Sequence, residues 1–240
     1  MLYSNPFYWR FLSMSLLMFY HCIAIAQSEN DTSTDKVHLA GIHFATLWPE
    51  GDFKNQFHKV KSGFQIEYLH QLHAQIPVFG GFQLTYHPLA RVNATLEKYI
   101  DFALVDVEHS TLSQLAGIYA KTRYYPPFRL PKTDFYLEFG IGGIIPYTTT
   151  SKTIKDTESI DFRHEKGDIS PGYFFAAGTN VKLSDQLFLD IKTCYHSGLS
   201  ASYYYPSRQN PIRETTFDAF NKYSGIIEFW NISIGINIPF

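Results

Sequence analysis

The sequence predicts an all-β fold, an eight-stranded antiparallel up-and-down transmembrane β-barrel. Three observations carry that expectation. Apolar and polar or small residues alternate at a period of two in eight separate blocks; the links between blocks alternate between long and short; and charged residues reach only 18% while aromatic residues reach 17%. A typical soluble domain carries roughly 25% charged residues, so much of this surface expects an apolar neighbour. With 20 Lys+Arg against 22 Asp+Glu there is no cationic surplus to neutralise a phosphate backbone, which argues against nucleic acid as a partner. No repeat of solenoid length is visible, and 240 residues suit one folded domain.

Residues 1–26 read as an export signal. Arg10 is the only charge, residues 11–20 form an apolar run, and Ala24-Ile25-Ala26 places small residues where a signal peptidase reads, so the mature chain starts at Gln27. The run falls short of the roughly 20 residues a membrane-spanning helix needs. Bulky His21 before Cys22 argues against a lipoprotein site, and loss of Cys22 leaves Cys194 alone, without an internal disulfide. Residues 27–36 form a polar periplasmic leader, and 37–240 the barrel.

The eight alternating blocks lie at about 37–48, 60–72, 77–89, 109–124, 134–147, 171–183, 186–199 and 223–240. The last is the clearest. Trp230, Ile232, Ile234, Ile236, Ile238 and Phe240 alternate with Asn231, Ser233, Gly235 and Asn237, which puts oil on one face and polar or small groups on the other. Long links follow the first, third, fifth and seventh blocks and shorter ones follow the rest, as expected when one rim faces outward and the other is threaded through a membrane. Residues 92–107 resist this scheme. Val92, Leu96, Tyr99, Ile100, Ala103, Leu104 and Val107 follow helical spacing, which suggests a short helix in the second long link; alternatively, residues 102–107 extend the fourth strand.

Alternation also fits a soluble lipocalin-like barrel turned inside out. Three features favour the membrane form. The face opposite the apolar one carries Glu67, Lys121, Arg123, Glu138, Lys182, Asp190 and Lys192 among many glycines, a mixed-sign set suited to a side-chain-filled lumen. About eleven residues tilted near 40° rise roughly 27 Å, close to the apolar band of such barrels. Aromatic residues gather near strand ends, at Trp48, Tyr86, Tyr124, Tyr125, Tyr147, Tyr203, Tyr204, Tyr205, Tyr223 and Trp230, as interfacial girdles would. Glu228 falls just beyond the band on the lipid-directed face.

The ending ISIGINIPF, with Trp230, Ile236, Ile238 and terminal Phe240 in phase, resembles the C-terminal strand by which Gram-negative outer-membrane barrels are recognised by their assembly machinery. With the export signal and eight blocks, residues 37–240 look like the small outer-membrane barrel family of OmpA- and OmpX-type proteins. Pro239 is a mild departure, tolerable at a strand end. The resemblance implies a monomer inserted by the barrel assembly machinery among outer-membrane lipid and lipopolysaccharide, with both termini periplasmic. It implies no reaction and no cofactor.

Ten histidines invite a search for chemistry. His70 and His73 have helical ligand spacing but fall in a strand and a turn, so no metal site is expected there. His196-Ser197 and His109-Ser110 are adjacent pairs whose side chains point to opposite faces of a strand, which is unsuitable for sharing a proton. Barrels that hydrolyse lipid A acyl chains place His and Ser two apart, and that spacing is missing here. His87 and His196 fall on inward positions near the outer mouth. The expected function is therefore a structural or surface-interaction barrel without enzymatic activity. Its contact candidates are the link at 148–170 and the last long link, with Tyr203, Tyr204, Tyr205, Arg208 and Arg213. A narrow channel for small solutes, an acyl hydrolase and a soluble ligand-binding barrel remain the rival readings.

Overall fold

The computed structural model describes residues 37–240 apart from 75, 101–102, 128, 155–159 and 208. The export signal and the leader lie outside the described residues. The strands are β1 His38–Glu50, β2 Lys61–His73, β3 Ile76–Ile100, β4 Ala103–Tyr124, β5 Arg129–Leu130, β6 Thr133–Ile154, β7 Ile160–Gly167, β8 Ser170–Ser184, β9 Leu187–Pro206 and β10 Phe220–Pro239. Antiparallel pairing runs β4-β3-β2-β1-β10-β9-β8-β6, and a β4–β6 ladder closes the ring, so eight strands form a barrel while β5 and β7 are accessory. Closure leaves no edge within the ring, which satisfies every ladder hydrogen bond internally.

The period-two pattern falls as expected. On the β1–β10 ladder, Ile42 faces Ile236, Phe44 faces Ile234 and Trp48 faces Trp230, and all six point outward. Ile234, Ile236 and Phe139 are 49%, 39% and 37% exposed, while their strand neighbours Ser233, Asn237 and Glu138 are buried inside. The oil is thus on the exterior. The start of β1 and the end of β10 meet at one rim, where His38 and Phe240 exchange two backbone hydrogen bonds of 3.0 Å. Their rings stack at 5.6 Å. Trp230, Ile236 and Ile238 lie on the outer face of β10, and Phe240, just past its end, is exposed.

At the opposite rim the strands run beyond their sequence-derived limits. β3 and β4 continue as a hairpin paired from Val92↔Thr111 to Ile100↔Ala103, so residues 92–107 form no helix; both strands extend, not only the fourth. The helical-looking spacing arises because apolar cross-strand partners of one hairpin, Leu96↔Val107, Tyr99↔Leu104 and Ile100↔Ala103, read along the chain as one segment. β6 also continues, and β7 folds back on it, so residues 148–170 are largely a sheet rather than an irregular link. The β3–β4–β6–β7 arm and the β9–β10 hairpin rise together. They are bridged on their inner faces by a short 3-10 helix, Thr216–Ala219, through Thr111 Oγ1, which lies 2.6 Å from Thr216 Oγ1 and 2.8 Å from Thr150 Oγ1.

Candidate functional site

Three layers fill the lumen. At the rim where β1 starts and β10 ends, Leu39, Leu69 and Phe79 pack with Tyr125 into a small apolar floor. Above it lies a charge layer built by inward positions of β2, β4, β6 and β9. Glu67 accepts from Lys121 Nζ at 2.6 Å, Arg123 Nη2 at 2.6 Å and Lys192 Nζ at 2.8 Å. Glu138 accepts from Lys121 Nζ at 2.7 Å and Arg123 Nε at 2.6 Å. Asp190 is held by Asn237 Nδ2 at 2.9 Å and by the Tyr136 hydroxyl, and lies 3.2 Å from His43 Nε2. The Arg123 guanidinium also stacks 3.9 Å over the Tyr136 ring. Three cations thus balance three carboxylates, all fully buried. Such a cluster is tolerable only because each charge is matched and hydrogen-bonded.

Six of the seven residues expected in this network are there: Glu67, Lys121, Arg123, Glu138, Asp190 and Lys192. Lys182 is not. Its side chain is 45% exposed and pairs with Asp185 at 2.7 Å, because the end of β8 projects below the floor into water. His43, Gln65, Gln83, Tyr136, Asn180 and Asn237 are members that sequence reasoning left out, although each stands at inward parity beside a glycine or a recognised charge. Glycine makes room for the bulky members: a Cβ at Gly178 would lie 2.4 Å from the Tyr136 ring, and one at Gly235 2.4 Å from His43.

His43, Glu67 and Asp190 could each turn a ligand atom to one metal ion. The surroundings do not suit one, because Arg123 already bonds both carboxylates, and Lys121 and Lys192 bond Glu67, so an added cation would meet three like charges. His70 lies outside the lumen with its ring 4.6 Å from that of His38.

The third layer is an apolar plug toward the rim opposite the floor. Leu47, Leu89, Leu115, Tyr119, Ile144, Phe174, Cys194, Ala201, Tyr203, Ile227 and Phe229 are buried together, and Phe53 and Phe57 descend into them from the first long link. That link carries a six-residue helix, α1 Gly51–Gln56, whose one buried side chain is Phe53. His87 and His196 sit here as expected, but against rings rather than charges: His196 stacks on Phe229 at 4.6 Å and lies 3.1 Å from the Tyr119 hydroxyl through Nδ1.

The contact candidates divide. Tyr203 is only 1% exposed and belongs to the plug, because a bulge between Ile226 and Glu228 turns the upper half of β9 by one residue. Tyr204 packs on Phe217 at 5.1 Å, Tyr205 is half-buried, Arg213 is exposed, and Arg208 lies outside the described residues. Among the expected girdle residues, Trp48, Trp230 and Tyr124 are outward and exposed, and Tyr86 and Tyr147 are outward and half-buried. Tyr125 and Tyr223 instead turn inward, to the floor and the plug. Ser197 and His196 do face opposite sides: the Ser197 hydroxyl donates outward to Glu228 at 3.4 Å while His196 is in the lumen. Ser110 likewise bonds Asn93 on the outer face while His109 is buried.

No family model and no curated protein matches the chain. Among solved structures, the chain is similar to Neisserial surface protein A at 12% identity, covering 87% of this chain and 99% of that one with a TM-score of 0.38. It is similar to the outer membrane protein OprG of Pseudomonas aeruginosa at 15% identity, 85% and 95% coverage and a TM-score of 0.37. A major outer membrane protein from Thermus thermophilus gives 9% identity, 86% and 100% coverage and a TM-score of 0.41.

Proposed function

We propose that the protein is an integral outer-membrane barrel whose elevated strands present a rigid contact surface outside the cell, with both termini in the periplasm. The observation that carries this reading is the contrast between a lumen filled in three layers and two sheet arms that continue well past the apolar band. The exterior supports the membrane setting. Ile42, Phe44, Phe64, Ile66, Leu84, Ile118, Phe139, Ile141, Phe175 and Ile234 form a belt of exposed apolar side chains that water would penalise at about 25 cal/mol per Å².

A scaffold of this kind acts through what it displays. Backbone ordered in the ladder needs no further ordering when a partner docks, which lowers the entropic cost of association. The arms expose Tyr99, Phe162 and Arg213 among polar neighbours, and aromatic and arginine side chains anchor interfaces most often. The filled lumen weighs against the small-solute channel, and the opposed Ser197 and His196 weigh against the acyl hydrolase.

The test is folding and topology together. Heat-modifiable migration of the membrane-fraction protein, combined with clipping of the arms at Lys152 or Arg163 by protease added to intact cells, is the expected result. Release from the periplasm without detergent would overturn the membrane reading, and arms protected on intact cells but cleaved in lysates would overturn the orientation.

A further inference from the structure

On the inner face of the arms, His109 is 1% exposed, and neither of its ring nitrogens has a hydrogen-bond partner among the described residues. The ladders set Ala94 of β3 and Lys152 of β6 directly opposite it, and parity puts Val107, Thr111 and Thr150 on the same face. The segment 212–219, which ends in the 3-10 helix Thr216–Ala219, covers that face. It is fastened at two points that bracket His109. Toward the barrel, Thr216 Oγ1 lies 2.6 Å from Thr111 Oγ1; toward the arm's tip, Lys98 Nζ, on the rung of Val105, donates to the Glu214 carbonyl at 3.0 Å. Residues 214–216 therefore cross the face over His109.

The segment is organised to move as one piece. The backbone N–H groups of Thr215, Glu214 and Arg213 donate to Asp218 Oδ2 at 3.0, 2.8 and 3.2 Å, which holds that carboxyl below its ordinary value of 3.8. Its remaining contacts with the arms include no ion pair among the described residues, and Phe217 packs on Tyr204 at 5.1 Å. The charges facing His109 are unequal in sign. Lys98 comes from β3 and Lys152 from β6, whereas Asp161 of β7 lies beyond Lys152 on the ladder, Glu214 is exposed and Asp218 is turned to its own segment. An imidazolium beneath the closed segment would have two cations near it and no acceptor. Burial lowers the pKa of His109 from its ordinary 6.5, and Lys98 and Lys152 lower it further. Once uncovered, the ring meets water and returns toward the ordinary value, so the open form takes up a proton more readily. The closed form is thus fully stable above the ordinary value and loses stability as pH falls through the lowered one.

We propose that the segment 212–219 is a lid released by acid: a proton on His109 lifts it and uncovers the inner face of the arms around Val105 and Val107. Val107, 3% exposed, supplies the probe position and Tyr99, 78% exposed, the reference. The full chain with Cys22→Ser and Cys194→Ser, folded in neutral sugar-detergent micelles, carries either Val107→Cys or Tyr99→Cys. It is treated with 2,2′-dithiodipyridine, which attacks thiols in mild acid as well as at neutral pH. Relative to the reference, labelling of Val107→Cys should be at least about fivefold faster at about pH 4.5 than at about pH 7.5, while heat-modifiable migration persists at both. His109→Gln should keep labelling slow at both pH values. Equal relative rates, acid dependence that survives His109→Gln, or loss of heat-modifiable migration in acid would each overturn the proposal. Should His109→Gln fail to fold, the midpoint on the chain that keeps His109 decides: it should fall between about pH 4 and the ordinary histidine value of 6.5. A midpoint below about pH 4 would assign the opening to carboxylates and overturn the proposal.

Discussion

The lower and upper halves of the lumen solve one packing problem with opposite chemistry. Below, Glu67, Glu138 and Asp190 meet Lys121, Arg123 and Lys192 in a cluster held by ion pairs and by hydrogen bonds from neutral neighbours such as Tyr136 and Asn237. Above, Leu47, Leu115, Phe174, Ile227 and Phe229 interlock with two phenylalanines from outside the ring. An ion cluster is stable only as a whole, since removing one member strands its partners, whereas an apolar plug loses stability in proportion to the volume removed. The barrel therefore holds an all-or-none layer beneath a graded one.

The largest effect tests the lower layer. Glu67→Ala deprives Lys121, Arg123 and Lys192 of a shared acceptor and leaves three buried cations to two carboxylates, so it should cost about 3–5 kcal/mol, read as a lowered urea midpoint in micelles. A change under about 1 kcal/mol would mean that water reaches the layer. In the plug, Leu115→Ala at a site 1% exposed should cost about 2–3 kcal/mol, near the lower end of the range for such truncations, because the surrounding flexible side chains can close part of the space. If Leu115→Ala outweighs Glu67→Ala in the same assay, the contrast between the layers is wrong.

The two halves also differ in how far the sequence discloses them. Parity along each strand is enough to place Glu67, Lys121, Arg123, Glu138, Asp190 and Lys192 inside, since alternation is a local property and closure makes one face common to all strands. The same reasoning fails for Lys182 because parity says which way a residue points but not how far along the axis the lumen ends. The plug is less legible. Phe53 and Phe57 reach it from a link whose path depends on tertiary packing, and Tyr203 reaches it through a bulge that reverses parity without a local signal. The 92–107 hairpin is misread for another non-local reason: apolar cross-strand pairs such as Leu96↔Val107 and Tyr99↔Leu104 recur along the chain at intervals that imitate a helical period.

A smaller effect separates the barrel from the arms it carries. Asp168, between β7 and β8, accepts from the backbone N–H groups of Ser202 at 2.7 Å and Ile169 at 2.8 Å, and these bonds hold its carboxyl below the ordinary value of 3.8. A lowered folded pKa stabilises above the unfolded value and is lost as pH falls through the folded one, so the clasp between the arms should be complete above about pH 4, weaken below it and open only as pH falls through the lowered value. Amide exchange at Ser202, corrected for its intrinsic pH dependence, should lose protection progressively as pH falls below about 4 while amides of the charge layer stay protected. Asp168→Asn should remove the pH dependence, and uniform loosening of both regions would show that the arms and barrel open as one unit.

The smallest effect marks where the charge layer stops. Lys182 and Asp185 make an ion pair of 2.7 Å that looks as good as any inside, yet their side chains are 45% and 93% exposed. Water screens such a pair and competes for both partners, and holding a long lysine side chain in one rotamer offsets much of what attraction remains. Lys182→Ala should therefore move the urea midpoint by less than about 1 kcal/mol equivalent, with a difference that shrinks further in high salt. A loss approaching that of Glu67→Ala would place Lys182 in the cooperative cluster after all. The same bond length thus carries different weight on the two sides of the floor formed by Leu39, Leu69 and Phe79, because that floor decides whether the charges can exchange their partners for water.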